Sequence, residues 1–239
     1  MRTTMLLGHG SPDPAACAEL SELRQLVATR LGAPVDMGVL EFPAPGLPKV
    51  EDALAALASS VGVAAQPLIL FDGLHGRHDI PRITKEASIL HRLDVTVGTS
   101  FGQDAALIEL ATARLADAGI RSGDLVLFIG RGSSGPLALS QTQTVSKAVA
   151  GAAGLEHVVC YTGISRPNLA QGMTAALAWR PRRVVALPYL LHTGVLVRRV
   201  PEVLDPLARE AGVELLVLPH IGNCPALVEL VATRLEAML

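Results

Sequence analysis

Two histidines and a glutamate are the residues of this chain whose types and spacing could do chemistry. His9, Glu41 and His75 each come shortly after an apolar run. Imidazole and carboxylate groups together suit a divalent transition ion such as iron, cobalt, nickel, copper or zinc. Imidazole can also take up a proton near neutral pH, because its unperturbed pKa is about 6.5. The three residues therefore predict a metal or proton-transfer site, provided that the fold brings them together.

The elements that would position them are parallel strands. The pattern of apolar residues in each half of the chain predicts four units, each a strand followed by a helix. In the first half the strands are predicted at Thr3–Leu7, Val35–Leu40, Val63–Phe71 and Val95–Thr99. The helices between and after them are predicted at 15–31, 47–60, 79–91 and 104–118. Strands that alternate with long helices favour right-handed crossovers and a parallel sheet. In a flavodoxin-like strand order of 2-1-3-4, the three residues would meet beyond neighbouring strand ends, where such sheets bind ligands.

The chain repeats itself with an offset of about 120 residues. Gly8–Ser11 (GHGS) returns as Gly130–Ser133 (GRGS), and Ala111–Leu115 returns as Val231–Leu235. The repeat predicts two tandem flavodoxin-like domains, 1–120 and 121–239, each with a parallel four-stranded sheet flanked by helices. Pro67 and Pro188 match in the repeat, and a proline inside a central strand removes a ladder hydrogen bond. Their positions are therefore predicted to be a strand start or a sheet edge.

The two copies differ at the reactive positions. The second copy has Arg131 where the first has His9, and Gly163 where the first has Glu41. Leu196 falls near the place of His75. The sequence therefore predicts one site, carried by the first domain, and a degenerate second domain.

Composition excludes several classes of protein. The net charge is −2 and no basic stripe is present, which argues against a nucleic-acid partner. No apolar run reaches the 18 residues of a membrane span, and no long apolar stretch marks a signal peptide. The 3 cysteines are scattered and offer neither a disulfide framework nor a CxxC metal site. A cytoplasmic protein is expected.

Three segments resemble the sirohydrochlorin chelatases, the class II tetrapyrrole chelatases that insert cobalt or iron. They are Leu6–Ser11, Leu40–Pro45, and Leu68–Phe71 followed by His75–Pro81, and the combination of the GHGS turn with the downstream H-x-x-x-D-I-P pattern is specific. The resemblance covers nearly the full chain as the double-length form. It implies two facing domains with a tetrapyrrole in the cleft, and it implies that a monomer suffices because the second domain supplies the partner face.

The resemblance also implies residue roles. His9, His75 and Glu41 would bind the metal and act in catalysis. Residues expected to contact the substrate lie at the glycine turn, at a strand end, or carry a charge that suits carboxylates: Gly10, Ser11, Arg77, Arg82, Arg131 and His192.

The expected reaction is insertion of Co²⁺ or Fe²⁺ into sirohydrochlorin or a related tetrapyrrole, with Ni²⁺ or Zn²⁺ as substitutes in vitro. No nucleotide is expected, since no Walker or dinucleotide motif is present. Both a sirohaem and a cobalamin pathway stay open. The alternative is a non-catalytic metal carrier or tetrapyrrole-binding protein. A phosphohydrolase built on the Gly-His-Gly turn is disfavoured, because no arginine stands beside His9.

Overall fold

The computed structural model describes residues 2–239, which form eight strands, eight α-helices and one π-helical turn. The first half contains β1 (Thr3–Gly8), α1 (Pro14–Leu31), β2 (Val35–Val39), α2 (Val50–Ala56), β3 (Val63–Pro67), the π-helical turn His75–Asp79, α3 (Ile80–His91), β4 (Val95–Val97) and α4 (Ala105–Asp117). The second half contains β5 (Asp124–Gly130), α5 (Pro136–Ala153), β6 (Glu156–Tyr161), α6 (Leu169–Leu177), β7 (Arg183–Pro188), α7 (Val195–Ala211), β8 (Glu214–Val217) and α8 (Pro225–Glu236).

Both sheets are parallel throughout. Their strand orders are β2-β1-β3-β4 and β6-β5-β7-β8, so each sheet has the order 2-1-3-4. Met5, Leu6 and Leu7 of β1 are all 0% exposed, which shows that helices or loops cover both faces of the sheet. The predicted α/β fold with two tandem four-stranded sheets is confirmed.

The last helix of each half packs with the other half. One compact unit, the first unit, contains Met1–Phe101 and Asn223–Leu239, and the second unit contains Gly102–Gly222. The first unit therefore includes α8, which packs against α1 and β3, and the second unit includes α4, which packs against α5. These units differ from the predicted domains 1–120 and 121–239 by an exchange of helices, because an apolar helix face can bury itself on either of two similar sheets.

Equivalent arginines fix the exchanged helices. Within the first unit, Arg234 of α8 donates hydrogen bonds to the carbonyls of Thr99 and Ser100, both at 2.9 Å. Within the second unit, Arg114 of α4 donates to the backbone carbonyls of residues 219–221. Each arginine thus binds the segment that leaves the fourth strand of the sheet on which its helix packs.

Pro67 and Pro188 are the last residues of β3 and β7, so the prediction of a strand start or edge was wrong. Ladder pairing of β3 with β4 ends at Ala65, before the proline is reached. The side-chain amide of Gln66 donates to the Pro67 carbonyl at 2.9 Å and to the Thr99 carbonyl at 2.8 Å. The side chain thereby links two chain segments at a point where proline has no N–H to donate.

Other elements differ from prediction mainly at their ends. The strand predicted over 63–71 ends at Pro67, and the helix predicted over 47–60 is the shorter α2. Within the described range 2–239, none of the helices has the length and apolar character needed to cross a bilayer.

A buried ion pair lies at the amino-terminal end of the second sheet. The Asp124 side chain is 0% exposed and lies 2.7 Å from Arg183 and 2.9 Å from Arg182. Burial alone would raise the pKa of Asp124, but the hydrogen bond from Arg183, that from the Arg121 N–H, and the two guanidinium charges together hold this pKa below its ordinary value. Asp124 therefore stabilises the folded state when it is ionised.

We expect Asp124→Asn to lower the free energy of unfolding at pH 7 by about 3 kcal/mol, because the buried Arg183 loses its buried charged partner and keeps only the more distant, exposed Glu214. Since the folded-state pKa is depressed, this contribution is present above the unfolded pKa of about 3.9 and is lost as pH falls through the folded pKa. Urea unfolding at pH 7 and at pH 3 should therefore show a wild-type advantage that shrinks in acid. Asp94→Asn, at an exposed carboxylate, should change stability much less at both pH values.

Candidate metal centre

His9, Glu41 and His75 lie together at the carboxyl-terminal edge of the first sheet. One ligand atom from each residue lies within 4.8 Å of the others. His9 and His75 are half-buried, and Glu41 is exposed. The strand order accounts for this arrangement, because β2, β1 and β3 are neighbours and each residue follows one of these strands. The structure thus brings together the three residues predicted from sequence.

Backbone hydrogen bonds beyond the strand ends fix two of the three. The Leu40 N–H donates to the Gly8 carbonyl at 3.0 Å and the Glu41 N–H donates to the His9 carbonyl at 2.9 Å, which extends β1–β2 pairing past β2. Gly10 then turns away with a φ of 86°, and a Cβ placed there would lie 1.8 Å from the Glu41 carbonyl oxygen. Only glycine allows this approach of the two loops.

His75 begins a π-helical turn that runs directly into α3. The Ile80 N–H donates to the His75 carbonyl, which closes the wide turn. The turn places the Asp79 carboxylate 2.8 Å from His75 Nδ1. π-Helical turns of this kind occur frequently at functional sites. His75 also meets His9 edge-to-face, with ring centroids 4.7 Å apart and planes at 88°.

The hydrogen bonds at Nδ1 indicate which imidazole nitrogen carries the proton. His9 Nδ1 lies 3.0 Å from the Gly10 carbonyl, and His75 Nδ1 lies 2.8 Å from the Asp79 carboxylate. A carbonyl and a carboxylate only accept hydrogen bonds, so each Nδ1 carries the proton of the neutral ring. In this tautomer each Nε2 has a lone pair, and the Asp79 carboxylate fixes the orientation of the His75 ring. The centre can therefore bind a divalent ion through two imidazole nitrogens and one carboxylate.

The role of Asp79 was not anticipated from sequence, although the four-residue spacing from His75 was visible as part of H-x-x-x-D-I-P. We expect Asp79→Ala to weaken Co²⁺ binding by about 10- to 100-fold, since partners of this kind orient a metal-binding imidazole. Asp79→Asn keeps an acceptor without the charge and should fall between. Equilibrium titration followed by cobalt absorption measures the effect. Glu86→Ala, on the exposed face of α3, is the control and should bind Co²⁺ as the wild type does.

The second unit has the same backbone without the ligands. The Gly163 N–H donates to the Arg131 carbonyl at 2.8 Å, as Glu41 does to His9, and Gly132 has a φ of 87° where Gly10 has 86°. Leu196 is the second residue of α7, and its position after β7 corresponds to that of His75 after β3. Among residues 2–239, the His9–Glu41–His75 group is the one set of three or more such side chains that could hold an ion.

The residues predicted to bind substrate lie in both units, and their role stays a prediction. Ser11 follows the Gly10 turn, and its hydroxyl accepts the Asp13 N–H at 3.1 Å. Arg77 is exposed in the π-helical turn. Arg82 is exposed on α3, where it pairs with Glu86 at 3.0 Å.

In the second unit, Arg131 is exposed directly after β5 and His192 is half-buried after β7. Arg131 and His192 therefore lie at the carboxyl-terminal edge of the second sheet. The candidate metal centre lies at the corresponding edge of the first sheet.

Comparison with known proteins identifies the family. The CbiX family model matches residues 3–118 and again residues 125–238. A sirohydrochlorin ferrochelatase from Priestia megaterium is 28% identical over 181 residues, covering 74% of this chain and 68% of the relative. A sirohydrochlorin cobaltochelatase from the same organism is 24% identical over 249 residues, covering 99% of this chain and 79% of the relative.

The fold also matches a solved structure. The sirohydrochlorin chelatase SirB from Bacillus subtilis subspecies spizizenii, solved in complex with cobalt, superposes with a TM-score of 0.80 at 21% identity, covering 99% of this chain and 94% of that chain. With the family model matched over both halves, the chain belongs to the CbiX family, the sirohydrochlorin chelatase family that its motifs resemble, and carries two copies of the family's domain.

Proposed function

We propose that this protein inserts a divalent ion, Co²⁺ or Fe²⁺, into sirohydrochlorin or a closely related tetrapyrrole without using a nucleotide. The observation that carries the proposal is the cluster of His9, Glu41 and His75, whose ligand atoms lie within 4.8 Å of one another in a chain of the CbiX family. The relatives named as ferrochelatase and cobaltochelatase support the substrate class and leave both metals as candidates.

The cluster suits an ion that must be transferred to the macrocycle. Two neutral imidazoles and one exposed carboxylate leave coordination positions open, whereas structural zinc sites close all four. An ion bound in this way keeps room for the nitrogen atoms of an approaching macrocycle. Neutral nitrogen ligands also hold it less tightly than a cage of thiolates would, so transfer to the macrocycle is favourable.

Insertion releases two protons for each ion taken up. The ion replaces the two pyrrole N–H protons of the metal-free macrocycle. As the ion leaves His9 and His75, the lone pairs on their Nε2 atoms become free and can accept those protons. Glu41 is exposed and can pass them to solvent. The same three side chains therefore serve first as ligands and then as bases.

Substrate orientation would use basic groups. The carboxylates of a tetrapyrrole suit arginine, whose planar fork binds carboxylate through two hydrogen bonds. Arg77 in the first unit and Arg131 in the second are both exposed. In this proposal residues of both units complete the substrate site in a cleft between the domains, and a single chain suffices.

A turnover assay on the purified protein tests the proposal. Sirohydrochlorin is mixed with Co²⁺, Fe²⁺, Ni²⁺ or Zn²⁺, with and without protein and with and without ATP, and insertion is followed by ultraviolet–visible absorption. We expect acceleration by the protein with Co²⁺ or Fe²⁺ and no effect of ATP. Tight ion binding without acceleration for any ion would contradict the proposal and favour the carrier.

A further inference from the structure

An uncharged groove adjoins the candidate metal centre in the first unit. It has a volume of about 600 Å³ and lies between the start of α1 and the loop that follows β2. Its walls include Pro12, Pro14, Phe42, Pro43 and Pro45. Proline fixes its own φ, so walls built in this way are formed before any ligand arrives. None of the lining residues that the structure describes carries a charge.

Phe42 stands out in this groove for its backbone. Its φ is +51° and its side chain is 48% exposed. A bulky residue in the left-handed region is uncommon and marks a conformation that the surroundings impose. Across residues 2–239, the other non-glycine residues with positive φ are Arg92 and Arg180. Both of these follow helix ends, where left-handed residues are usual, whereas Phe42 lies in the β2–α2 loop.

Hydrogen bonds on both sides hold Phe42 in this conformation. The Glu41 N–H donates to the His9 carbonyl at 2.9 Å, and Ala44 and Leu47 exchange backbone hydrogen bonds of 3.1 and 2.8 Å. The hydrogen-bonded loop thus exposes the aromatic ring to solvent, where the ring contributes nothing to packing of the core. The half-exposed ring thereby adds to the apolar surface of the groove.

The groove and the metal centre are built from neighbouring residues of the same two loops. Ser11, which lines the groove, is two residues beyond His9, and Phe42 directly follows Glu41. The approach of the Gly10 backbone to the Glu41 carbonyl holds the two walls in contact. A ring system that brings its central nitrogens to His9 and Glu41 is wide enough to reach the residues that adjoin them, which include Ser11 and Phe42.

We propose that Phe42 and this groove form an apolar subsite for the face of one pyrrole of the tetrapyrrole, with the Phe42 ring packed against that face. This inference rests on the proposed function and adds to it a binding residue and the part of the substrate that it contacts. Because an uncharged groove disfavours the carboxylates at the edges of a pyrrole, these groups stay outside it. The apolar π-face of the pyrrole is the part of the substrate that matches an aromatic side chain.

Three substitutions at one position test the subsite. In Phe42→Ala and Phe42→Leu, we expect the Kd for metal-free sirohydrochlorin to rise about tenfold for alanine and less for leucine, because stacking on an aromatic side chain is lost. Phe42→Gly should weaken binding as alanine does without lowering the thermal midpoint, since glycine adopts positive φ freely. Co²⁺ binding without tetrapyrrole should be unchanged in all three variants. A merely structural role would instead lower the thermal midpoint and the affinity together.

The control is Leu90→Ala, which removes an apolar side chain that is 76% exposed on α3, away from the groove, and should bind as the wild type does. Binding is followed by the change in visible absorption of the tetrapyrrole and needs no turnover. Wild-type affinity in Phe42→Ala would overturn the subsite even if the wild type is an active chelatase. Weakened binding in Phe42→Ala, with a wild type that binds but never inserts an ion, would overturn the proposed function and support the subsite.

Discussion

Replacing His9 or His75 by alanine is expected to reduce the rate of Co²⁺ or Fe²⁺ insertion by about 10²- to 10⁴-fold, the range typical of losing a proton-transfer group. Each imidazole supplies one Nε2 lone pair, and its Nδ1 is already occupied by the Gly10 carbonyl or the Asp79 carboxylate. Loss of one ring leaves the ion with at most two protein ligands from the cluster and removes a base. The measurement is the initial rate of the absorption change on metal insertion.

The chain offers a matched control for this experiment. His78 lies in the same π-helical turn as His75, is exposed, and stands outside the cluster. His78→Ala should retain the wild-type rate, which would show that the turn itself tolerates a lost imidazole. Because His9 and His75 are only half-buried, their alanine variants should keep the wild-type circular dichroism spectrum. Near-normal rates in both of these variants would remove the two histidines from the mechanism.

The position of the three cluster residues could be predicted from sequence because the strand order of a parallel sheet determines which residues meet at its edge. Apolar runs separated by helices favour a parallel sheet, and in the order 2-1-3-4 the ends of β1, β2 and β3 are adjacent. Any residue directly after one of these strands must lie at that edge. His9 directly follows β1, Glu41 is the second residue after β2, and the longer loop after β3 brings the His75 ring to 4.7 Å from that of His9.

The neighbours of the cluster could not be read in the same way. Asp79 reaches His75 through a π-helical turn, and sequence patterns predicted a helix starting at Asp79 with His75 in the preceding loop. The positive φ of Phe42 depends on hydrogen bonds of the residues on either side, which no periodicity encodes. Local conformations that tertiary contacts impose leave little signal in the residue pattern, and functional sites often contain them.

The exchange of α4 and α8 escaped prediction for a different reason. The two helices are copies of one another, down to the equivalent Arg114 and Arg234. Their apolar faces therefore fit either sheet by pattern alone. The periodicity of their residues carries no information about which of the two sheets each helix covers.

A chain that ends at Gly222, and so lacks α8, is expected to lose the first unit and its metal site while the second unit stays folded. In α8, Leu227, Val231 and Leu235 are 0% exposed, and α8 packs on α1 and β3 of the first unit. Burial of each such side chain contributes about 1.5–3 kcal/mol, so their loss removes about 5 kcal/mol or more. That amount is comparable to the whole stability of a typical domain.

The position of the aromatic residues makes this outcome measurable unit by unit. The chain has 1 Trp and 2 Tyr, and Trp179, Tyr161 and Tyr189 all belong to the second unit. Their near-ultraviolet signal should therefore persist in the truncated chain, while Co²⁺ binding at His9, Glu41 and His75 is lost. Adding a peptide of residues 223–239 should restore part of the Co²⁺ binding, because the peptide supplies the missing helix. If α8 instead packed on its own half, truncation would abolish the aromatic signal and spare Co²⁺ binding, and that reversed pattern would refute the exchange.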